Sequence, residues 1–176
     1  MAVTRRKVVV SLDTYLSILA VVSSFCAIGI TFYQAYLQRT EQYASVMPIL
    51  RCLNTSKLEN GLGYAFICVN NGLGPAFIEE ATYTYQGKTY ESIDNVVHFL
   101  PVDSTLNTSN VGKGWVIPQG ERVDILQIST RKNIALYRGK IGNGGLTVNF
   151  VYRSVYGQRW RMTYPSDPDE SNVELN

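Results

Sequence analysis

The chain has 176 residues, with 16 Lys and Arg against 14 Asp and Glu, a formal net charge of +2, and one histidine. This mildly basic balance is too weak to predict nucleic-acid binding. A single histidine excludes a metal site built on two histidines, and no motif supports a histidine-based catalytic triad. We therefore expect no enzyme activity, no cofactor and no metal.

The longest uncharged run extends from Thr14 to Gln38, between Asp13 and Arg39. As a helix it would cover roughly 37 Å, enough to cross a hydrocarbon core of about 30 Å. A cleaved secretory signal usually has a shorter apolar region and a small-x-small cleavage site, which this run lacks. The sequence predicts a basic segment over 1–13 and one uncleaved transmembrane helix over 14–38. A cleaved signal or an amphipathic or buried helix are the alternatives.

Small residues recur along this run at a spacing of four. Ser23, Ala27 and Thr31 would lie on one helix face, along which two backbones can approach closely. This stripe predicts a homo-oligomer formed through the helix, although such stripes also arise by chance in apolar helices.

Basic residues predict the orientation of the helix, because Lys and Arg are retained on the cytoplasmic side. Arg5, Arg6 and Lys7 precede the run, whereas Arg39 and then Arg51 follow it. We therefore expect an inner (plasma) membrane protein with a cytoplasmic N-terminus and a periplasmic or extracellular domain.

The sequence after residue 38 predicts three segments: a linker over 39–45, one soluble all-β domain over 46–164 and a tail over 165–176. Apolar runs alternate with period two and are rich in Val, Ile, Tyr, Phe and Thr, which favours an immunoglobulin-like sandwich of about seven strands. The tail is acidic and lacks large aromatic residues, so we expect it to be disordered. The predicted strands cover residues 46–53, 62–70, 76–86, 88–93, 122–129, 146–154 and 158–164.

The first two strands predict a hairpin with Asn60 and Gly61 in a type I′ turn. In this register Cys52 faces Val69, so Cys52 and Cys68 lie on opposite faces and stay as two buried thiols. A longer loop is the alternative, and it would bring the two cysteines together.

The last two strands favour a three-residue loop that ends at Gly157, because this register gives one continuous apolar face. The opposite face then carries Arg153, Arg159 and Arg161. These arginines could bind acidic lipid headgroups or a protein partner; the alternative is an ordinary solvated surface. The predicted apolar pairs are Tyr152 with Trp160, Phe150 with Met162, and Val148 with Tyr164.

Two segments interrupt the alternation, at 92–113 and 131–140, and each is expected to contain a short helix, the first near 95–100. Loops of this kind often carry binding residues, although ordinary connections are the alternative. Glu79 and Glu80 are adjacent in a predicted strand and should therefore point to opposite faces. On that basis they cannot cooperate as a catalytic acid and base.

Three short motifs follow one another along the domain: Asn71-Gly72-Leu73-Gly74-Pro75-Ala76, Pro118-Gln119-Gly120-Glu121, and Tyr152 to Gly157. They resemble small immunoglobulin-like β-sandwich domains of uncharacterised single-pass bacterial membrane proteins. The motifs are structural, with paired glycines expected at positive φ and prolines at strand starts. The resemblance implies a bacterial or phage origin and a sandwich fold, and it transfers no active-site residues.

These features predict a membrane-anchored, non-enzymatic interaction module that presents a β-sandwich to a protein partner. The alternative is a ligand-sensing effector whose helix oligomerises and breaches the bilayer, similar in architecture to bacterial antiviral effectors. That alternative requires a cytoplasmic sensor domain, so the topology of the chain discriminates the two functions.

Overall fold

The computed structural model describes residues 11–58, 61–100, 105–130, 134–142, 145–166 and 171–175. The chain forms two compact units that divide after Gln42. The first unit consists of most of one long helix, and the second is a domain of two antiparallel β-sheets.

Helix α1 extends over Leu12–Ser45, a length of 34 residues. Among the described residues it is the one helix long and apolar enough to cross a membrane. Residues 39–45, the predicted linker, continue α1, and the boundary between the two units falls among them. Arg39, Glu41 and Gln42 have high helix propensity, so the helix need not end where the uncharged run ends.

The first sheet has the strand order β1 (Leu50–Leu58), β2 (Gly61–Asn70), β7 (Arg122–Ile128) and β5 (Leu106–Thr108). The second sheet has the order β10 (Asn172–Leu175), β9 (Arg159–Tyr164), β8 (Leu146–Arg153), β3 (Ala76–Tyr85) and β4 (Lys88–Tyr90), and β6 (Val116–Ile117) also pairs with β3. The seven predicted strands are present with shifted ends. β5, β6 and β10 have only two to four residues each, too few to display alternation.

Short helices occupy the two segments where the alternation breaks. Helix α2 (Ile93–Val97) begins after Ser92, whose Oγ accepts a hydrogen bond from Asp94 N at 3.1 Å. Helix α3 (Ile134–Tyr137) leads directly into a π-helical turn, Arg138–Gly142. Both confirm the expected short helices within the described residues.

One hydrophobic core lies between the sheets, and large aromatic side chains fill much of it. The buried tyrosine hydroxyls have polar partners, which removes the cost of an unpaired group. Tyr83 Oη donates to Val111 O at 2.8 Å, and Tyr64 Oη donates to Asn54 Oδ1 at 2.7 Å. The fully buried aromatic residues include Tyr64, Phe66, Tyr83, Tyr137, Phe150 and Tyr152.

The predicted register of the last hairpin is confirmed. Tyr152 pairs with Trp160, and their rings stack with centroids 5.9 Å apart. Gly157 has φ of +84°, as a left-handed loop position requires. Phe150 pairs with Met162 and Val148 with Tyr164, so one face of the hairpin packs into the core.

The predicted register of the first hairpin is wrong, by two residues beside the turn and by one residue from Leu50 to Thr55. Gly61 is already in β2, where it pairs with Leu58, so it is not a turn residue; Asn60 lies outside the described residues. A bulge between Thr55 and Lys57 shifts the register again. Cys52 therefore faces Cys68 directly, and both buried thiols lie on the same face.

The prediction of a disordered tail is also wrong over Asn172–Leu175, which pair as β10 with β9. The side chain of Asn172 secures this strand: its Nδ2 donates to Leu50 O at 2.9 Å, and its Oδ1 accepts from Tyr152 Oη at 2.6 Å. Backbone pairing and these bonds hold a segment that has little apolar surface of its own.

A buried asparagine explains the motif that follows β2. Asn70 is fully buried, and its Nδ2 donates to Gly74 O at 2.8 Å and to Ile117 O at 2.9 Å. Its Oδ1 accepts from Ile49 N and Gly72 N. A Cβ on Gly72 would lie 2.4 Å from Met47 O, and neither Gly72 nor Gly74 has a positive φ. These glycines therefore allow close backbone approach, and the expectation of positive φ is wrong for them.

Candidate functional site: an arginine groove

The outer face of the second sheet carries the candidate site. Phe77, Arg153 and Arg159 are cross-strand neighbours on β3, β8 and β9. These three residues surround an open cavity of about 530 Å³, together with Glu79 of β3 and with Lys113 and Trp115 of the loop that precedes β6. We call these six residues the arginine groove: Phe77, Glu79, Lys113, Trp115, Arg153 and Arg159.

A β-bulge brings a carboxylate into the groove. The pairing of β3 with β8 shifts between Ile78 and Glu80, so Glu79 is the extra residue. Neither Glu79 nor Glu80 is buried, and both line the same cavity. The expectation that they point to opposite faces is therefore wrong, because a bulge interrupts the alternation of side chains.

Glu79 bridges the two arginines of the groove. Its Oε2 lies 2.7 Å from Arg159 Nε, and its Oε1 lies 3.5 Å from Arg153 Nε. The Arg153 guanidinium also lies 4.9 Å from the centroid of the Phe77 ring, a cation–π contact. One carboxylate thus faces two guanidiniums with five N–H donors each, so donors exceed acceptors in the groove.

The aromatic side of the groove is held by backbone hydrogen bonds to β3. Gly114 N donates to Ile78 O at 2.9 Å, and Ile78 N donates to Trp115 O at 2.8 Å. Gly114 has φ of +90°, a conformation that side chains disfavour. This turn holds Trp115 at the surface, where the residue is 41% exposed and its ring is available to an apolar group of a partner.

Arg161 lies beside the groove and not in it. It lines a smaller cavity of about 300 Å³ with Glu80, Thr82, Asn149 and Val151. Among the described residues no ion pair within 4.0 Å involves Arg161. The structure therefore brings together Arg153 and Arg159, and it places Arg161 on the same face with a different set of neighbours.

The groove is positively charged and has an apolar side. Lys113, Arg153, Arg159 and Arg161 face Glu79 and Glu80, which leaves a formal excess of two positive charges on this surface. Such a surface can bind an anionic group through the arginines while an adjacent apolar group covers Trp115. No group of three or more His, Cys, Asp or Glu side chains that could hold a metal occurs within the described ranges.

Sequence reasoning missed Glu79, Lys113 and Trp115 as partners of the arginines. A tryptophan in a polar, glycine-rich loop was the available signal, since Gly112, Lys113 and Gly114 immediately precede it. The position of that loop over β3 depends on the pairing of β6, which alternation in the sequence did not predict.

The second predicted site is the stripe of small residues on α1. Ser23, Ala27 and Thr31 are exposed. The two hydroxyls bond within the helix: Ser23 Oγ donates to Ala20 O at 3.0 Å, and Thr31 Oγ1 donates to Ala27 O at 2.8 Å. Self-association through this stripe stays a prediction.

Comparison of the chain with protein-family models, curated proteins and solved structures found no match.

Proposed function

We propose that this protein is a non-enzymatic interaction module anchored in a membrane by α1, and that its arginine groove binds an acidic segment of a protein partner. The observation that supports this most directly is the pairing of two guanidiniums with an exposed tryptophan around one cavity. Arginine and tryptophan are the residue types enriched at energetically important positions of protein interfaces.

The shape of the groove favours a protein segment over a lipid surface. Arg153 and Arg159 have side chains 42% and 52% exposed, and Glu79 already pairs with both. A flat bilayer surface attracts clusters of cations through their net charge, whereas these guanidiniums are paired with a carboxylate and surround a cavity beside an aromatic ring. In a protein segment, a carboxylate can accept hydrogen bonds from the arginines while an adjacent apolar side chain covers Trp115.

We also propose that the two-sheet domain is immunoglobulin-like. With the strands lettered A, B, C, C′, D, E, F and G for β1, β2, β3, β4, β5, β7, β8 and β9, the sheets contain the orders ABED and GFCC′; the second sheet also holds β10 beside G and the short β6 beside C. These are the orders of that fold. The domain departs from antibody domains in lacking a cysteine on β8 and in carrying its buried tryptophan on β9.

The proposed location is the inner (plasma) membrane of a bacterial cell, with the domain in the periplasm or outside the cell. The excess of basic residues before α1 supports this orientation. A cytoplasmic domain would instead favour the ligand-sensing effector as the function.

Binding can be tested with the purified full chain in micelles of an uncharged detergent. The probe is a short peptide of alternating glutamate and phenylalanine, and the signal is tryptophan fluorescence. Trp115 is exposed and should report binding, whereas Trp160 is 3% exposed and supplies a constant background. Trp115→Phe should abolish the change in fluorescence.

Matched variants distinguish binding in the arginine groove from attraction to the overall positive charge of the protein. Arg153→Ala combined with Arg159→Ala should weaken binding at least about tenfold, because each charge-assisted hydrogen bond contributes about 1.5 to 3 kcal/mol. Arg122→Ala should leave the affinity unchanged, since Arg122 is an exposed arginine of the first sheet paired with Asp124. Equal binding by the double variant, or by a glutamine–phenylalanine peptide, would contradict the proposal. Competition by vesicles of anionic lipid at matched charge would assign the groove to headgroups.

A further inference from the structure

The two cysteines of the β domain face each other across the first hairpin. Cys52 of β1 pairs with Cys68 of β2, with the register unchanged from Leu50 to Thr55. Both thiols are buried in the core, at 8% and 0% exposure, and no disulfide joins them. The two cysteines are close because the observed register differs by one residue from the predicted one, in which Cys52 faces Val69.

The backbone hydrogen bonds show which kind of cross-strand pair they form. The neighbouring pair two residues away on each strand is Leu50 with Asn70. Leu50 N donates to Tyr152 Oη at 3.5 Å and Asn70 N donates to Glu121 O at 3.1 Å, so the two residues of this pair do not hydrogen-bond to each other. Cys52 and Cys68 have the same parity and therefore form a non-hydrogen-bonded pair. Such pairs have Cα atoms about 4.5 Å apart and the closer side chains, within the range that a disulfide spans.

Cys52 lies nearer the surface than Cys68, at 8% against 0% exposure. It lines a cavity of about 290 Å³ between the edge strand β1 and β9, whose other walls include Met162 and Tyr164. Burial raises the pKa of the Cys52 thiol, and the hydrogen bond and charge of Cys68 raise it further. The reactive thiolate is therefore scarce in the folded domain, and exchange should be slow until the edge strand opens.

We propose that Cys52 and Cys68 are a dithiol that closes to one intrasheet disulfide in the presence of a disulfide oxidant. The Cys52 thiolate attacks one sulfur of glutathione disulfide, the S–S bond breaks and one glutathione thiolate leaves. The Cys68 thiolate then attacks the Cys52 sulfur of the mixed disulfide, and the second glutathione leaves. Two cysteine thiols and one glutathione disulfide thus become one protein disulfide and two glutathione thiols.

The test uses the full chain with Cys26→Ser, which removes the cysteine of α1. The protein is unfolded in urea and refolded in detergent micelles through a series of glutathione and glutathione disulfide ratios, so that burial cannot block the reaction. Free thiols are alkylated after denaturation and counted by mass. We expect a single oxidised species that lacks two free thiols and that excess reductant returns to the dithiol.

A displaced cysteine controls for chance pairing in the unfolded chain. Cys52→Ser combined with Leu53→Cys keeps the thiol on β1 and moves it to the other face of the strand. The parent should oxidise at a glutathione disulfide concentration at least about tenfold lower than this variant does. Its oxidised form should melt on the order of 10 °C above its reduced form, because about 15 residues separate the cysteines. Two free thiols at every ratio, or equal oxidation of parent and displaced variant, would overturn the proposal.

Discussion

Asn70→Ala should be the most damaging single polar substitution in the β domain. The Asn70 side chain makes four hydrogen bonds to the backbone, and three of them, to Gly72 N, Gly74 O and Ile117 O, are buried. Leaving one buried backbone group without a partner costs about 1 to 3 kcal/mol. Three such groups predict a loss of at least about 3 kcal/mol, a large part of the stability of a typical domain.

The assay is equilibrium unfolding of the full chain in detergent micelles, with urea as denaturant and fluorescence of the buried Trp160 as the signal. For an m-value of roughly 2 kcal/mol/M, the midpoint should fall by at least roughly 1.5 M urea. Asn71→Ala is the matched control, because Asn71 is adjacent and exposed, and only its backbone N–H bonds to Ile49 O. A loss below about 1 kcal/mol for Asn70→Ala, or equal losses for the two variants, would refute this account of the motif.

Three further predictions test the core and the topology. Trp160→Ala should cost on the order of 3 to 5 kcal/mol in urea unfolding, whereas the exposed Arg161→Ala should change stability by no more than about 0.5 kcal/mol; comparable losses would contradict the register. Burial raises the pKa of Tyr64, Tyr83 and Tyr152, so the folded state keeps these phenolic protons at a pH where the unfolded chain loses them. Stability should therefore hold below about pH 10 and fall above it, by roughly 1 kcal/mol per tyrosine between pH 10 and 11; an unchanged urea midpoint across that interval would count against it. A C-terminal alkaline phosphatase fusion should be active and a fluorescent protein fusion dark, and the reverse pattern would place the domain in the cytoplasm.

The final hairpin was predictable because one register alone gave a continuous apolar face. Tyr152, Phe150 and Val148 alternate on one strand, and Trp160, Met162 and Tyr164 alternate on the other. The same register placed Gly157 at the loop position that requires a positive φ. Side-chain burial and turn chemistry agreed there, so the outward direction of Arg153 and Arg159 followed.

The first hairpin and the groove were less predictable because β-bulges shift register without changing the composition of a strand. The bulge near Thr55 brings Cys52 opposite Cys68, and the bulge at Glu79 directs two adjacent carboxylates to one face. Simple alternation gives the wrong face after each such insertion. Asn172 illustrates a second limit, since a short edge strand held by backbone pairing and one buried amide has no periodic apolar signal.

Photocrosslinking in intact cells tests the proposed function most directly. A photoreactive benzoylphenylalanine in place of Trp115 lies in the arginine groove. The control carries the same amino acid in place of the exposed Lys88 on β4, which pairs with Tyr85 and does not line the groove. The proposal predicts one discrete protein adduct from position 115 in the membrane fraction. This adduct should be lost with Arg153→Ala and Arg159→Ala and absent from position 88. An adduct that persists in the double arginine variant, or no protein adduct from position 115 while the chain is abundant in the membrane, would contradict the assignment of this groove as a partner-binding surface.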